Sequence, residues 1–90
     1  MEITFDPAKR DKVLAERGLD FADAGRVFAG RTATEEDTRK VYSEARFITA
    51  GVLEGRVVVM VWTPAPDGRR IISMRHCHED EARRWREQMG

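Results

Sequence analysis

The chain contains a single cysteine, Cys77, so no internal disulfide can brace it. Long apolar runs are also missing. The longest, Val57 to Trp62, falls far short of the ~20 residues needed to cross a bilayer and reads as a buried strand. The opening MEITFDPAKRDKV has no stretch resembling a signal peptide, which with the lone thiol places the expected protein in the cytoplasm. Glycine-rich phosphate loops, spaced cysteine pairs, a GxSxG serine elbow and a zinc-protease helix motif are all absent, which excludes the commonest enzyme signatures. No repeat, low-complexity segment or interdomain linker is visible. Net charge is missing too: 16 basic groups balance 16 acidic ones, unusual for a chain that must hold a polyanion.

What is present fits one small domain over residues 1–90. Two cores could not each bury enough apolar surface to offset chain entropy at this length. Hydrophobic residues make up 41% and charged residues 36%, a balance that suits a folded domain with a heavily charged surface. Ile3 to Phe5 can form a short strand. Asp6 followed by Pro7 is a strong helix start, and that helix should bury Val13 and Leu14 and stop at Gly18. Asp20 opens a second helix, with Asp23 at the capping-box position, Phe21, Ala24 and Phe28 on one face, and an end at Gly30. Residues 31–45 turn polar and fit either a short edge strand or an exposed loop.

Three β-rich runs follow, Arg46 to Val52, Arg56 to Thr63 and Arg69 to Met74, joined by LEG and PAPDG turns into an antiparallel meander. The middle run VVVMVW shows no polar alternation, so it should lie centrally, covered on both faces, with helices on one of them. A last helix starts near His78, its Glu79, Asp80 and Glu81 complementing the dipole and Ala82, Trp85 and Met89 forming one stripe. The expected class is α+β: a twisted antiparallel sheet with two N-terminal helices and one C-terminal helix.

The basic excess is confined to residues 46–78, where Arg46, Arg56, Arg69, Arg70 and Arg75 face only Glu54 and Asp67. Arginine's planar fork matches phosphate oxygens two at a time, although a solvated set of strand-end charges would look the same. In RRIISMRHCH, strand alternation puts Arg69, Ile71, Ser73 and Arg75 on one face, and antiparallel pairing can bring Arg46 beside another strand's end. For RNA cleavage the 2′-OH is the nucleophile, so an enzyme need only move protons and stabilise phosphorane charge. His76 suits proton transfer; a strand-end histidine, with His78 as a helix cap, is the plainer alternative. Cys77 would point away from both histidines in a strand, so neither a metal site nor any cofactor is expected. Trp85 reads as core rather than base platform. Tyr42, in the polar stretch, can stack on a base, support proton transfer or simply lie on the surface.

Three blocks carry a family resemblance. ITFDPAKRDKVLAERGLDFADAGRVF is similar to the opening "WDPAKAxxNxxKHGVxFxEAxxVF" of the BrnT toxin family, EARFITAGVLEGRVVVMVWT to its "ERFxxxGxxxGRxLxVVxT" stretch, and RRIISMRHCHEDEARRW to its "xRIISARxAxxxERxxY" ending. The resemblance covers nearly the whole chain in order. It implies a RelE-like ribonuclease fold, translation inhibition through RNA cleavage, and a BrnA-like antitoxin with a ribbon-helix-helix DNA-binding part. By position, Arg46 matches the arginine of the "ERF" block, while Ser73 and Arg75 match the "ISAR" block. Ala45 stands where that family has an acid, with Glu44 next to it; His76 replaces a basic residue, and Trp85 a tyrosine.

The sequence therefore reads as a metal-independent endoribonuclease without a cofactor, bound to its antitoxin as a hetero-oligomer. Arg46 and Arg75 would hold the phosphate, His76 or Glu44 would move protons, and Ser73, Arg69 and Tyr42 would contact substrate. The competing reading is a non-catalytic module of a transcription-regulating complex, whose arginine face grips a partner.

Overall fold

The computed structural model describes residues 2–89. Its strands and helices are β1 (Glu2–Phe5), α1 (Pro7–Arg17), a 3-10 turn (Phe21–Asp23), α2 (Ala24–Phe28), β2 (Thr32–Glu36), β3 (Phe47–Leu53), β4 (Arg56–Ala65), β5 (Gly68–His76) and α3 (Glu79–Met89). The strands form one five-stranded sheet in the order β1-β5-β4-β3-β2. β3 to β5 are the antiparallel meander that the three β-rich runs predict, extended by β2 as an edge strand. β1 adds a parallel edge against β5, so the α+β sheet is mixed.

Local chemistry sets the first elements. The Asp6 carboxylate accepts from the Ala8 N–H at 3.0 Å, Pro7 occupies the first turn, and Gly18 takes the left-handed conformation (φ 69°) that ends α1. Val13 is buried as expected, but Leu14 keeps 38% of its surface exposed. Adjacent helical residues point about 100° apart, and α1 touches the sheet along a narrow stripe. The second helix is also shorter than expected: the Asp20 side chain caps a 3-10 turn, and only Ala24–Phe28 are α-helical. Asp23 makes no capping bond.

The core is two-layered about the meander. On one face Val13, Leu19, Phe21, Ala24 and Val27 pack on Leu53, Val58, Met60, Ile71 and Met74. On the other, Ala82 and Trp85 of α3 cover Ala50, Val57 and Val59. Helices thus lie on both faces, where the sequence reading put them on one, because α3 crosses to the side opposite the N-terminal helices. It covers only part of that side.

A register shift corrects the alternation in β5. Val61 pairs with Ser73 and Trp62 with Ile71, so Ile72 is an extra residue. Such a bulge re-aims the residues around it. Ile71 and Met74 therefore share the N-terminal-helix face, together with Arg69, whose guanidinium lies 4.0 Å from the Phe28 ring centroid. Arg70, Ser73 and Arg75 point to the α3 side. Arg69 and Arg75, expected on one face, are on opposite ones.

Candidate functional site

β3 and β5 both run antiparallel to β4, hence parallel to one another, and their first residues lie at the same end of the sheet. Arg46, just before β3, consequently sits level with Thr63 and Arg70. Arg75 pairs with Val59, four residues further along β4, roughly 13 Å of strand. The residues suggested by the sequence thus divide into an open group (Tyr42, Glu44, Arg46), Arg75 at the end of the same face where α3 is seated, with Ser73 between them, and Arg69 and His76 behind the sheet.

The donors of Arg75 are occupied by the protein itself. Both terminal nitrogens of Arg75 donate to the Glu81 carboxylate at 2.8 Å, a two-pronged tie from β5 to α3. The Arg75 guanidinium holds Glu81 down at about 2, below its ordinary 4.5. Burial, and next the nearby Arg56 charge, lower the pKa of His76, and its Nδ1 is buried without a hydrogen-bond partner. The half-buried imidazole thus disfavours the charged form. Burial also raises the Cys77 thiol to about 11, keeping it protonated. Among the described residues, no three His, Cys, Asp or Glu side chains gather into a metal-holding group.

The open group is differently built. Arg46 Nε donates to Glu44 Oε1 at 3.2 Å, and its guanidinium lies over the Tyr42 ring, 4.1 Å from the centroid. Ser43 donates to the other Glu44 oxygen at 2.6 Å; that bond, followed by Arg46, lowers the Glu44 pKa and keeps it an anion and hydrogen-bond acceptor. The loop carrying them is anchored from beneath. Asp37, its side chain fully buried, accepts from Arg39 Nε and Nη2, both at 2.8 Å, and from the Tyr42 hydroxyl at 3.2 Å. Arg39 above all holds the Asp37 carboxyl well below the usual carboxylate range. The Asp37 N–H also donates to the Arg46 carbonyl at 2.8 Å, and Thr63 Oγ1 donates to the Ala45 carbonyl at 2.7 Å.

Arg46 and Glu44 line a cavity of about 410 Å³ together with Lys9, Arg70, Asp6, Thr63, Ile71 and Ile72. Three cations and two carboxylates, Glu44 and the helix-capping Asp6, therefore meet around a space open to solvent.

The family model described as "Ribonuclease toxin, BrnT, of type II toxin-antitoxin system" matches residues 5–81. The chain belongs to the BrnT family. A comparison with curated proteins produced no match. The BrnT match spans every site residue suggested by the sequence, from Tyr42 to His76, and ends before most of α3. A type II ribonuclease toxin implies an RNA target and an antitoxin partner.

Sequence reasoning missed Lys9, Arg70 and Asp37. Lys9 lies within the DPAK block, and Arg70 adjoins Arg69; the bulge decides which of the two arginines reaches the cavity. Asp37 had no signal, since nothing in TATEEDTRK distinguishes the acid that becomes buried.

Proposed function

We propose that this BrnT-family chain is a metal-independent endoribonuclease that cleaves RNA in the cytoplasm and so inhibits translation. The observation that carries the reading is the cavity where the Arg46–Glu44 pair meets Arg70 and Lys9. In the proposed reaction Glu44 accepts the proton of the 2′-OH as that oxygen attacks the adjacent phosphorus. Arg46, set by the Tyr42 ring, stabilises the charge of the phosphorane, with Arg70 and Lys9 holding its other oxygens or a neighbouring phosphate. The P–O5′ bond then breaks, the departing 5′ oxygen takes a proton from a water that is in turn reprotonated by Glu44, which returns to its carboxylate, and a 2′,3′-cyclic phosphate remains. Ser73, on the same face, contacts the RNA as it leaves the cavity. Arg75 ties β5 to α3, and His76 stays outside the proton path.

The same open half-face suits the cognate antitoxin. We propose that a ribbon-helix-helix antitoxin forms a hetero-oligomer with the chain by covering these cations, silencing them and stabilising the small fold by mass action. The test is incubation of the purified, monodisperse protein with RNA in EDTA. Fragments ending in 2′,3′-cyclic phosphate are expected. Activity abolished by EDTA would remove the metal-free mechanism, and RNA left intact by folded protein would favour the non-catalytic binding module.

A further inference from the structure

A second cavity, of about 500 Å³, adjoins the first and shares Arg70 with it. Its walls are Glu2 and Thr4 of β1, Pro64 and Ala65 at the end of β4, the Pro66–Asp67 turn, and Gly68 with Arg70 at the start of β5. The register puts Glu2 opposite Gly68 and Thr4 opposite Arg70. The enclosure is firmly built. The Glu2 N–H donates to the Asp67 carbonyl at 3.1 Å, tying β1 to the turn, and a Cβ at Gly68 would collide with the Glu2 backbone. Two prolines fix the backbone of the opposite wall.

The composition of this space differs from that of its neighbour. Pro64, Ala65 and Pro66 offer flat apolar surface, whereas the polar groups at the rim, apart from Arg70, are the Thr4 hydroxyl and the Glu2 and Asp67 carboxylates. A ligand spanning both cavities needs an anion on the Arg70 side and, joined to it, a planar group with an apolar face. That description fits a nucleotide. Carboxylates only accept hydrogen bonds, so they select base edges rich in donors. Guanine presents two adjacent donors, N1–H and the 2-amino group, which one carboxylate can accept together. Uracil presents a single N–H between two carbonyl oxygens, which the carboxylates repel.

We infer that this second cavity is a nucleobase subsite with a preference for guanine next to the phosphate held by Arg46 and Arg70. The inference rests on the proposed RNA site and names the substrate feature that it would read.

The experiment titrates the intact protein with guanosine 3′,5′-bisphosphate and, separately, uridine 3′,5′-bisphosphate, following backbone amide shifts. Guanosine should bind about tenfold more tightly, the low end for one two-pronged contact at a partly exposed rim. It should shift Thr4, Gly68 and Arg70 together with Arg46. Glu2→Gln combined with Asp67→Asn should bring the two affinities within about twofold, since amides add donors while the walls remain. Ala65→Trp should weaken both nucleosides yet leave inorganic phosphate binding unchanged. Equal affinities for the wild-type protein, or shifts that spare Thr4 and Gly68, would overturn the subsite. RNA cleavage is scored on the same preparation. Cleavage without base preference removes the subsite alone, whereas guanosine selectivity without cleavage removes the nuclease reading and leaves the subsite standing.

Discussion

The two ends of the α3-side sheet face hold the same residue type in opposite states of pairing. At the covered end Arg75 is clamped by both oxygens of Glu81, beside the Ala82 and Trp85 packing that seats α3. At the open end Arg46 meets one oxygen of Glu44 through Nε and Nη2, lies over the face of Tyr42, and lines a cavity. An arginine whose fork is filled holds the fold together. One that is oriented but incompletely paired can bind an anion without first breaking a strong bond. Family membership cannot separate these roles, because the matched residues include both arginines.

The strongest way to sharpen the contrast is to damage one end and measure the other. Trp85 is 91% buried against Ala50, Val57 and Val59, so Trp85→Ala should cost roughly 3 to 5 kcal/mol. For a domain of this size that approaches the whole stability, and a thermal melt should show a largely unfolded chain. An unchanged melting temperature would mean that α3 is no part of the core. Arg46→Ala should leave the melt nearly intact, yet lower RNA cleavage by about a hundredfold or more, the scale of losing one preorganised donor to a developing charge. Arg46→Lys should recover only part of it. Undiminished cleavage by folded Arg46→Ala would end the distinction between the two arginines.

Much of the architecture was legible because it is local. Asp6-Pro7, Gly18 and the unbroken Val57–Trp62 run each dictate structure within a few residues. The Glu54–Gly55 turn, with φ of 50° and 81°, is likewise a two-residue hairpin signal carried by its glycine. What escaped is non-local. β1 pairs with a strand more than sixty residues away in sequence, and no pattern in Glu2–Phe5 marks that edge as parallel. The α3 stripe predicts which residues are buried but not which face of the sheet receives them. The bulge at Ile72 decides which arginines share a face: without it, simple alternation groups Arg69 with Arg75, whereas the sheet groups Arg70, Ser73 and Arg75. The buried Asp37 was illegible for the same reason, since its burial is conferred by a loop that closes over it.

A smaller effect is expected from loosening the open end without touching the cavity. Asp37 holds Tyr42, and Tyr42 supports Arg46. Asp37→Asn keeps the shape but weakens the Arg39 and Tyr42 bonds, so kcat should fall about tenfold through misplacement of Arg46, with a smaller change in KM. Tyr42→Phe retains the ring and should do less. Equal losses in Tyr42→Phe and Arg46→Ala would show that the hydroxyl itself takes part in the chemistry.

The smallest effect concerns the filled arginine. The Arg75 side chain is 45% exposed, so Arg75→Ala should lower stability at pH 7 by less than about 1 kcal/mol and hardly alter cleavage. Its signature lies in acid. Glu81 titrates at about 2 when folded against an ordinary 4.5, so the folded state binds fewer protons than the unfolded state between these values. The pair's contribution is therefore complete above pH 4.5 and is lost as pH falls toward 2. His76 acts earlier: its folded pKa lies below the ordinary 6.5, so stability starts to decline as pH drops below 6.5, whether or not Arg75 is present. Asp20, Asp37 and Glu44 are also lowered and share the acid window, so only the difference between wild type and Arg75→Ala isolates the clamp. That difference should be constant from pH 8 to 5 and shrink below 4.5. If it shrank near 6.5 instead, Arg75 would be coupled to His76. A hundredfold loss of cleavage in a folded Arg75→Ala protein would move the phosphate site to the covered end.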